Sequence, residues 1–179
     1  MKKLLTLLIL TSTLISCKSL PAEDADAKVS NKKNGMIVGT IAIENRRNIV
    51  SNHTFLYAND SIVKMIDAGL RTKNFNWREH EISVSKRKGD FQEGDKWIYM
   101  FQILKPEGQY KFHTISLFLN TGYMQSTQTM RIDIPFEVEP GKVKYLGEIS
   151  LNVKSGRVEL TDRIERDRLK FKKFPYIVF

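Results

Sequence analysis

The sequence predicts a mostly β protein, an antiparallel β-sandwich with a short C-terminal helix. The strongest observation is that residues 130–153 hold two runs of alternating apolar and polar side chains, on either side of Pro140-Gly141. Alternation with period two is typical of strands that have one buried and one solvated face. A second observation is that similar short runs, separated by turn residues, recur through residues 35–119. This spacing favours a sandwich.

The junction at Pro140-Gly141 leaves two interpretations open. A two-residue hairpin would pair Val138 with Val143, but it would also put Pro135, which has no N–H, at a hydrogen-bonded position. Pro-Gly also favours a type II turn, which suits tight hairpins poorly. Either the strand bulges at Pro135 or the chain crosses to the other sheet at the junction. In both cases the inner face is predicted to carry Ile132, Ile134, Phe136, Tyr145, Ile149 and Leu151.

Residues 1–16 are predicted to be a lipoprotein signal peptide. A basic start, Met1-Lys2-Lys3, precedes an apolar run over residues 4–15. This run is too short for a spanning helix, which needs about 20 residues. The following Leu14-Ile15-Ser16-Cys17 resembles the lipobox of bacterial lipoproteins. An ordinary signal peptide with a chance cysteine is the alternative.

The lipobox resemblance implies cleavage before Cys17. The sulfur of Cys17 would carry a diacylglycerol and its amine an acyl chain, because a nucleophilic sulfur is needed to take the lipid. Two or three acyl chains anchor a protein stably. The predicted location is therefore the bacterial cell envelope, in the outer membrane, on its periplasmic or its surface-exposed side.

Residues 17–34 are predicted to be the lipidated cysteine and a flexible tether, and residues 35–179 a single domain. The tether has little apolar content and contains the acidic cluster Glu23-Asp24-Ala25-Asp26, which resembles surface-export signals of Bacteroidota lipoproteins. Cys17 is the only cysteine, so the mature domain can form no internal disulfide. Removing residues 1–16 leaves 163 of 179 residues and lowers the formal charge from +9 to +7, through loss of Lys2 and Lys3.

The predicted elements of the domain follow from local periodicity and turn residues. Strands are predicted at residues 35–43, 49–58, 62–66, 81–85, 96–104 and 109–119, ahead of the two alternating runs. Residues 67–94 are predicted to be a loop-rich basic segment ending in a hairpin, and residues 123–129 a polar loop. In the long strand the apolar parity shifts near His113-Thr114, which predicts a β-bulge there. Residues 162–174 are predicted to form a helix, opened by Asp162 and Glu165 as a capping box.

Several turn and core motifs carry a family resemblance. They are Pro106-x-Gly108-x-Tyr110 before the long strand, the run over residues 134–149, and a charged helix that ends in Phe-Pro. Together they resemble a group of β-sandwich lipoproteins of Bacteroidota, with a weaker likeness to transthyretin-like and carboxypeptidase-regulatory-like domains. Over residues 35–179 the resemblance implies an immunoglobulin- or transthyretin-like sandwich. It implies no catalytic residues.

The residue patterns do not favour an enzyme. His80-Glu81 does not extend to a zinc-protease motif, because Val84 stands where the second histidine would be. His53 and His113 each lie within a strand pattern, and no nucleophile elbow, phosphate loop or dinucleotide fingerprint occurs. We therefore expect no catalytic residues, no metal and no cofactor other than the lipid on Cys17.

The predicted partners follow from charge and location. A lipid anchor would hold the domain outside the cytoplasm, and the basic residues are spread without aromatic interleaving, so no nucleic acid is expected. A basic surface outside the cytoplasm suits another envelope protein or an acidic glycan. The sequence thus predicts a lipid-anchored, non-enzymatic interaction module. The alternatives are a glycan- or ligand-binding lipoprotein that uses the loops of Trp77, Arg78 and Tyr123, and an envelope enzyme.

Overall fold

A computed structural model describes residues 33–46, 50–70, 75–85, 88–174 and 177. The predicted signal peptide, Cys17 and nearly all of the predicted tether lie outside these residues. Two short helices, α1 (Asp60–Asp67) and α2 (Ile164–Phe171), accompany the strands. The described strands are β1 (Asn34–Glu44), β2 (Val50–Asn59), β3 (Glu81–Ser85), β4 (Phe91–Glu93), β5 (Lys96–Pro106), β6 (Gly108–Asn120), β7 (Gln125–Val138), β8 (Val143–Asn152) and β9 (Arg157–Thr161).

The strands form two sheets that pack face to face. Sheet A has the order β4-β5-β1-β8-β9, and sheet B the order β3-β2-β6-β7. The predicted β-sandwich is confirmed, with one difference: β1 and β8 pair in parallel, while the other described pairs are antiparallel. The two inner faces bury one apolar core, whose least exposed members include Ile41, Phe55, Phe112, Ile115, Ile149 and Leu151.

The chain crosses between the sheets at Pro140-Gly141. β7 belongs to sheet B and β8 to sheet A, so the hairpin that would pair Val138 with Val143 is wrong and the crossing interpretation is right. Pro135 pairs with Lys111 of β6, and β7 is one of the two edge strands of sheet B. A missing N–H is tolerated on an edge strand.

Two bulges set which side chains face the core. The predicted bulge is confirmed, since the pairing of β6 with both neighbours skips His113. A second irregularity, between β1 and β8, skips Leu146 and precedes Gly147, whose φ is 120°. It reverses the parity of β8, so Ile149 lines the core while Tyr145 packs on the outer face of sheet A. The prediction that Tyr145 lines the inner face is therefore wrong.

Residues 62–66 form part of helix α1, where a strand was predicted. The Asn59 side chain accepts a hydrogen bond from the N–H of Ile62 at 3.0 Å and so caps the first turn. Val63 is buried, and the helix lies beside β2 and β6. The short apolar run thus follows a helical period. A run of five residues is too short for its periodicity to distinguish a helix from a strand.

Helix α2 covers Ile164–Phe171 and is therefore shorter than the predicted span of residues 162–174. Asp162 accepts from the N–H of Ile164 at 2.8 Å, and no capping box forms. The helix packs on the outer face of sheet A, where Phe171 joins Met36 and Val38 in a second apolar cluster. This cover explains why β1 is buried on both faces.

Two further differences concern the edges of the sandwich. Residues 125–129 belong to β7, where a loop was predicted from their polarity. They are polar because both faces of this edge segment are exposed. β9 was not predicted. In the part of the chain that the structure describes, no helix is long and apolar enough to cross a membrane.

Candidate functional site

The three loop residues predicted to bind a ligand do not form one site. Trp77 lies half-buried in a 3-10 turn, Trp77–Glu79, and Arg78 beside it is exposed. Tyr123 is fully exposed at the turn between β6 and β7. Trp77 contacts His113, whereas Tyr123 follows the end of β6, about seven residues or roughly 23 Å farther along the strand. Cys17 lies outside the described residues.

Trp77 instead borders a polar depression on the outer face of sheet B, which we call the α1 pocket. Its volume is about 280 Å³. β6, β7 and helix α1 supply its lining, which consists of Val63, Asp67, Lys111, His113, Arg131, Ile132 and Asp133. The pocket thus draws on segments that are far apart in the sequence, brought together because the helix lies over the sheet.

Two ion pairs frame the α1 pocket. Lys111 Nζ lies 3.1 Å from Asp133 Oδ1, and Arg131 Nη1 lies 3.1 Å from Asp67 Oδ1. Three of the four side chains are more than half exposed, so solvent reaches them. Exposed pairs of this kind contribute little to stability. Their donors and acceptors remain available to a bound molecule.

His113 is the buried polar group of the α1 pocket. The residue is 4% exposed, and its Nδ1 lies 2.8 Å from Thr114 Oγ1. Its Nε2 is buried and has no hydrogen-bond partner among the described residues. Burial lowers the pKa of His113, and the positive charge of Arg131 lowers it further. The ring is therefore neutral at pH 7, and its orientation results from the bulge in β6, since bulges redirect side chains.

A second group of charges is sealed beneath helix α2. We call it the α2 cluster, and it consists of Thr40, Tyr145, Glu148, Arg166 and Asp167. Asp167 accepts from Thr40 Oγ1 at 2.9 Å and from Tyr145 Oη at 2.7 Å, both on Oδ2. Its Oδ1 accepts from Arg166 Nε at 2.7 Å. The carboxylate thereby ties the helix to β1 and β8.

Arg166 links the α2 cluster to the sheet edge. Its Nη2 lies 2.6 Å from Glu148 Oε2, and its Nη1 donates to Glu93 Oε2 at 2.9 Å. Burial opposes the charge of Arg166, but the bonds to Asp167 and Glu148 outweigh it and raise the pKa of the guanidinium. Burial and the bond to Asp167 also raise the pKa of the Tyr145 phenol. Most of these groups bond to one another beneath the helix, although Glu148 Oε1 has no hydrogen-bond partner among the described residues, and we interpret the cluster as structural.

A third feature is an apolar groove at the open side of the sandwich. The edge strands β7 and β9 border it, and its volume is about 460 Å³. Met130, Ile132, Ile134, Val158 and Leu160 supply its apolar lining. β7 pairs with β6 on one side only, so its other edge presents backbone donors and acceptors within the described part of the protein.

Most residues of the α1 pocket were missed by sequence reasoning. Asp67, Lys111 and Arg131 belong to different elements and share no motif, but the parity shift at His113 was a usable signal. No group of three or more His, Cys, Asp or Glu side chains within residues 33–46, 50–70, 75–85 and 88–174 is arranged to hold a metal ion.

Comparison with known proteins adds little. No protein family matches the chain, and no curated protein does. A leucine-rich repeat protein from Bacteroides thetaiotaomicron is similar at 11% identity and a TM-score of 0.37, over 69% of this chain and 14% of that one. A candidate cell adhesion protein from Bacteroides fragilis is similar at 13% identity and a TM-score of 0.28, over 73% of this chain and 46% of that one. Both neighbours are Bacteroides proteins, but TM-scores this low carry no argument about function.

Proposed function

We propose that the protein is a lipid-anchored, non-enzymatic interaction module of the bacterial cell envelope. Cys17 in its lipobox supports the anchor and the location in the outer membrane. The observation that supports an interaction role best is the unpaired edge of β7. Another envelope protein that carries an extended segment would suit this edge.

The first part of the β7 edge, before Arg131, has few of the devices that normally block strand pairing. Residues 125–130 carry no charge and no proline, and residues 125–129 are exposed. Natural edge strands are commonly protected by lysine, proline, bulges or short length, and β7 has 14 residues. The adjacent groove would receive alternate apolar side chains of an added strand.

Site-specific cross-linking in cells tests the interaction role. A photoreactive residue at Gln128, on the exposed edge, should capture an envelope protein. The same residue at Glu165, which is exposed on helix α2, is the matched control and should not. Equal capture from both positions, or none from Gln128, would contradict the proposal.

The anchor is tested separately. Cys17→Ala should abolish incorporation of a fatty-acid probe and leave an unprocessed or soluble product, because the sequence has no other cysteine thiol to take the lipid. Equal labelling of the wild type and the variant would refute lipidation at this cysteine.

A second candidate function is binding of a glycan or another small ligand. The observation that favours it is the position of Trp77 beside the α1 pocket, where polar side chains converge. An array of glycans probed with the full chain tests it, and Trp77→Ala should reduce any signal. Tyr123→Ala is the control, since Tyr123 lies away from the pocket.

A further inference from the structure

We propose that the α1 pocket binds a neutral, hydroxyl-rich ligand the size of one sugar ring. This inference rests on the second candidate function and assigns it a site and a ligand class. The pocket of about 280 Å³ is just below the usual range for drug-sized ligands, so a single ring suits it. Its two apolar lining residues, Val63 and Ile132, suit the C–H groups of such a ring.

The charges of the α1 pocket indicate that its ligand is neutral. Two cationic side chains, Lys111 and Arg131, are balanced by two carboxylates, Asp67 and Asp133. An anionic ligand would be repelled by both carboxylates, and a cationic ligand would be repelled by both basic groups. Hydroxyl groups both donate and accept, so they can bond to either member of each ion pair without leaving a charge unpaired.

His113 provides the observation that points to an occupant. A buried polar atom without a partner is costly, and native proteins contain few of them. Nε2 of His113 is such an atom, at a residue that lines the pocket and is 4% exposed. A neutral imidazole accepts at Nε2 if its Nδ1 carries the proton and donates to Thr114, and it donates at Nε2 if Nδ1 accepts from Thr114. A ligand hydroxyl would satisfy either state, and because Nε2 is buried, binding requires the side chains around His113 to move and admit it.

The fluorescence of Trp77 reports on the α1 pocket, because its ring lies 5.6 Å from that of His113. The experiment uses the full chain in detergent with Trp97→Phe, so that Trp77 is the single tryptophan. The probes are glucose, galactose, mannose and N-acetylglucosamine, with glucuronate and inorganic phosphate as charged comparisons. We expect at least one neutral sugar to give a saturable change that neither charged probe gives.

Variants then test the location. His113→Phe keeps a ring of similar size but removes Nε2, so affinity should fall about tenfold, the equivalent of one hydrogen bond. Asp133→Asn should weaken binding similarly. The control is Glu159→Gln, which alters an exposed ion pair with Arg157 outside the pocket and should leave affinity unchanged. His113→Phe should also keep or raise the melting temperature, because it removes an unpartnered polar group.

Each other outcome overturns part of the inference. Saturable sugar binding that is insensitive to His113→Phe and Asp133→Asn would place the ligand elsewhere and refute the site, while leaving the glycan-binding function intact. Preference for glucuronate or phosphate would refute the neutral ligand. Absence of saturable binding by every probe would refute the inference, and an empty glycan array would refute the second candidate function as well.

Discussion

The two sheets each carry a group of charged side chains beneath or beside a short helix, but with opposite exposure. The α2 cluster on sheet A includes Asp167 and Glu148, which are almost fully buried. The α1 pocket on sheet B has exposed carboxylates, Asp67 and Asp133. In the first group the charges bond to one another, and in the second they frame a space.

Burial separates the structural cluster from the candidate site. A buried charge must be paired, and removing one partner leaves the other uncompensated. The α2 cluster therefore fixes helix α2 to the sheet. The charges of the α1 pocket add little stability because solvent screens them, and their partners can be exchanged for those of a ligand.

The largest expected effect distinguishes the two groups directly. Asp167→Ala should destabilise the protein by about 3–5 kcal/mol, because Arg166 and Tyr145 lose a buried partner. Asp133→Ala, the matched change in the α1 pocket, should cost under about 0.5 kcal/mol. Denaturant melts measure both. Similar losses for the two variants would show that the contrast between the sheets is wrong.

Stability at low pH should depend on His53, another buried polar residue, which lies in strand β2. Burial lowers its pKa from 6.5 to about 4, although the Val84 backbone opposes the shift. Between these values the unfolded state binds more protons, so stability falls as pH drops through this window. A shift of this size corresponds to a loss on the order of 3 kcal/mol.

Chemical denaturation between pH 7 and pH 4 measures this dependence. His53→Leu removes the titrating group and should flatten most of the slope. His80→Gln removes a half-exposed histidine whose pKa burial also lowers, and it should reduce the slope less than His53→Leu does. A steep slope that persists in His53→Leu would assign the acid sensitivity to other groups.

A smaller effect is expected for one hydroxyl of the α2 cluster. Tyr145 Oη donates to Asp167 at 2.7 Å and accepts from the N–H of Arg163 at 3.3 Å. Tyr145→Phe should therefore cost about 1.5–3 kcal/mol, the usual range for a bond to a charged group. Tyr123→Phe is the control, because Tyr123 is fully exposed. Thermal melts of the two variants should show a lower melting temperature for Tyr145→Phe and no change for Tyr123→Phe. Equal effects would mean that the cluster is open to water.

Local pattern predicted the strands well, because period two depends only on neighbouring residues. It also predicted the bulge at His113, where the apolar residues of β6 shift from even to odd positions. It failed at Tyr145, because strict alternation does not account for the extra residue Leu146, which forms a second bulge. It failed at residues 62–66, because the cap supplied by Asn59 was not recognised.

The candidate site could not be predicted in the same way. The parallel pairing of β1 with β8 and the contact of Asp67 with Arg131 join segments that are far apart in the chain. No periodicity encodes such contacts. Trp77 was predicted to lie near the polar groups of its own loop, whereas its ring contacts His113 of β6, which is distant in the sequence.

The smallest expected effect concerns the ion pair between Lys111 and Asp133. A double-mutant cycle of Lys111→Met and Asp133→Ala should give a coupling of about 0.2–1 kcal/mol, because solvent screens an exposed pair. High salt should reduce it further. The exposed pair of Arg157 and Glu159 is the control cycle, and it should behave alike. A coupling well above that of the control, and insensitive to salt, would mean that the α1 pocket is as sealed as the α2 cluster. Its charges would then be structural, and a ligand could not exchange with them.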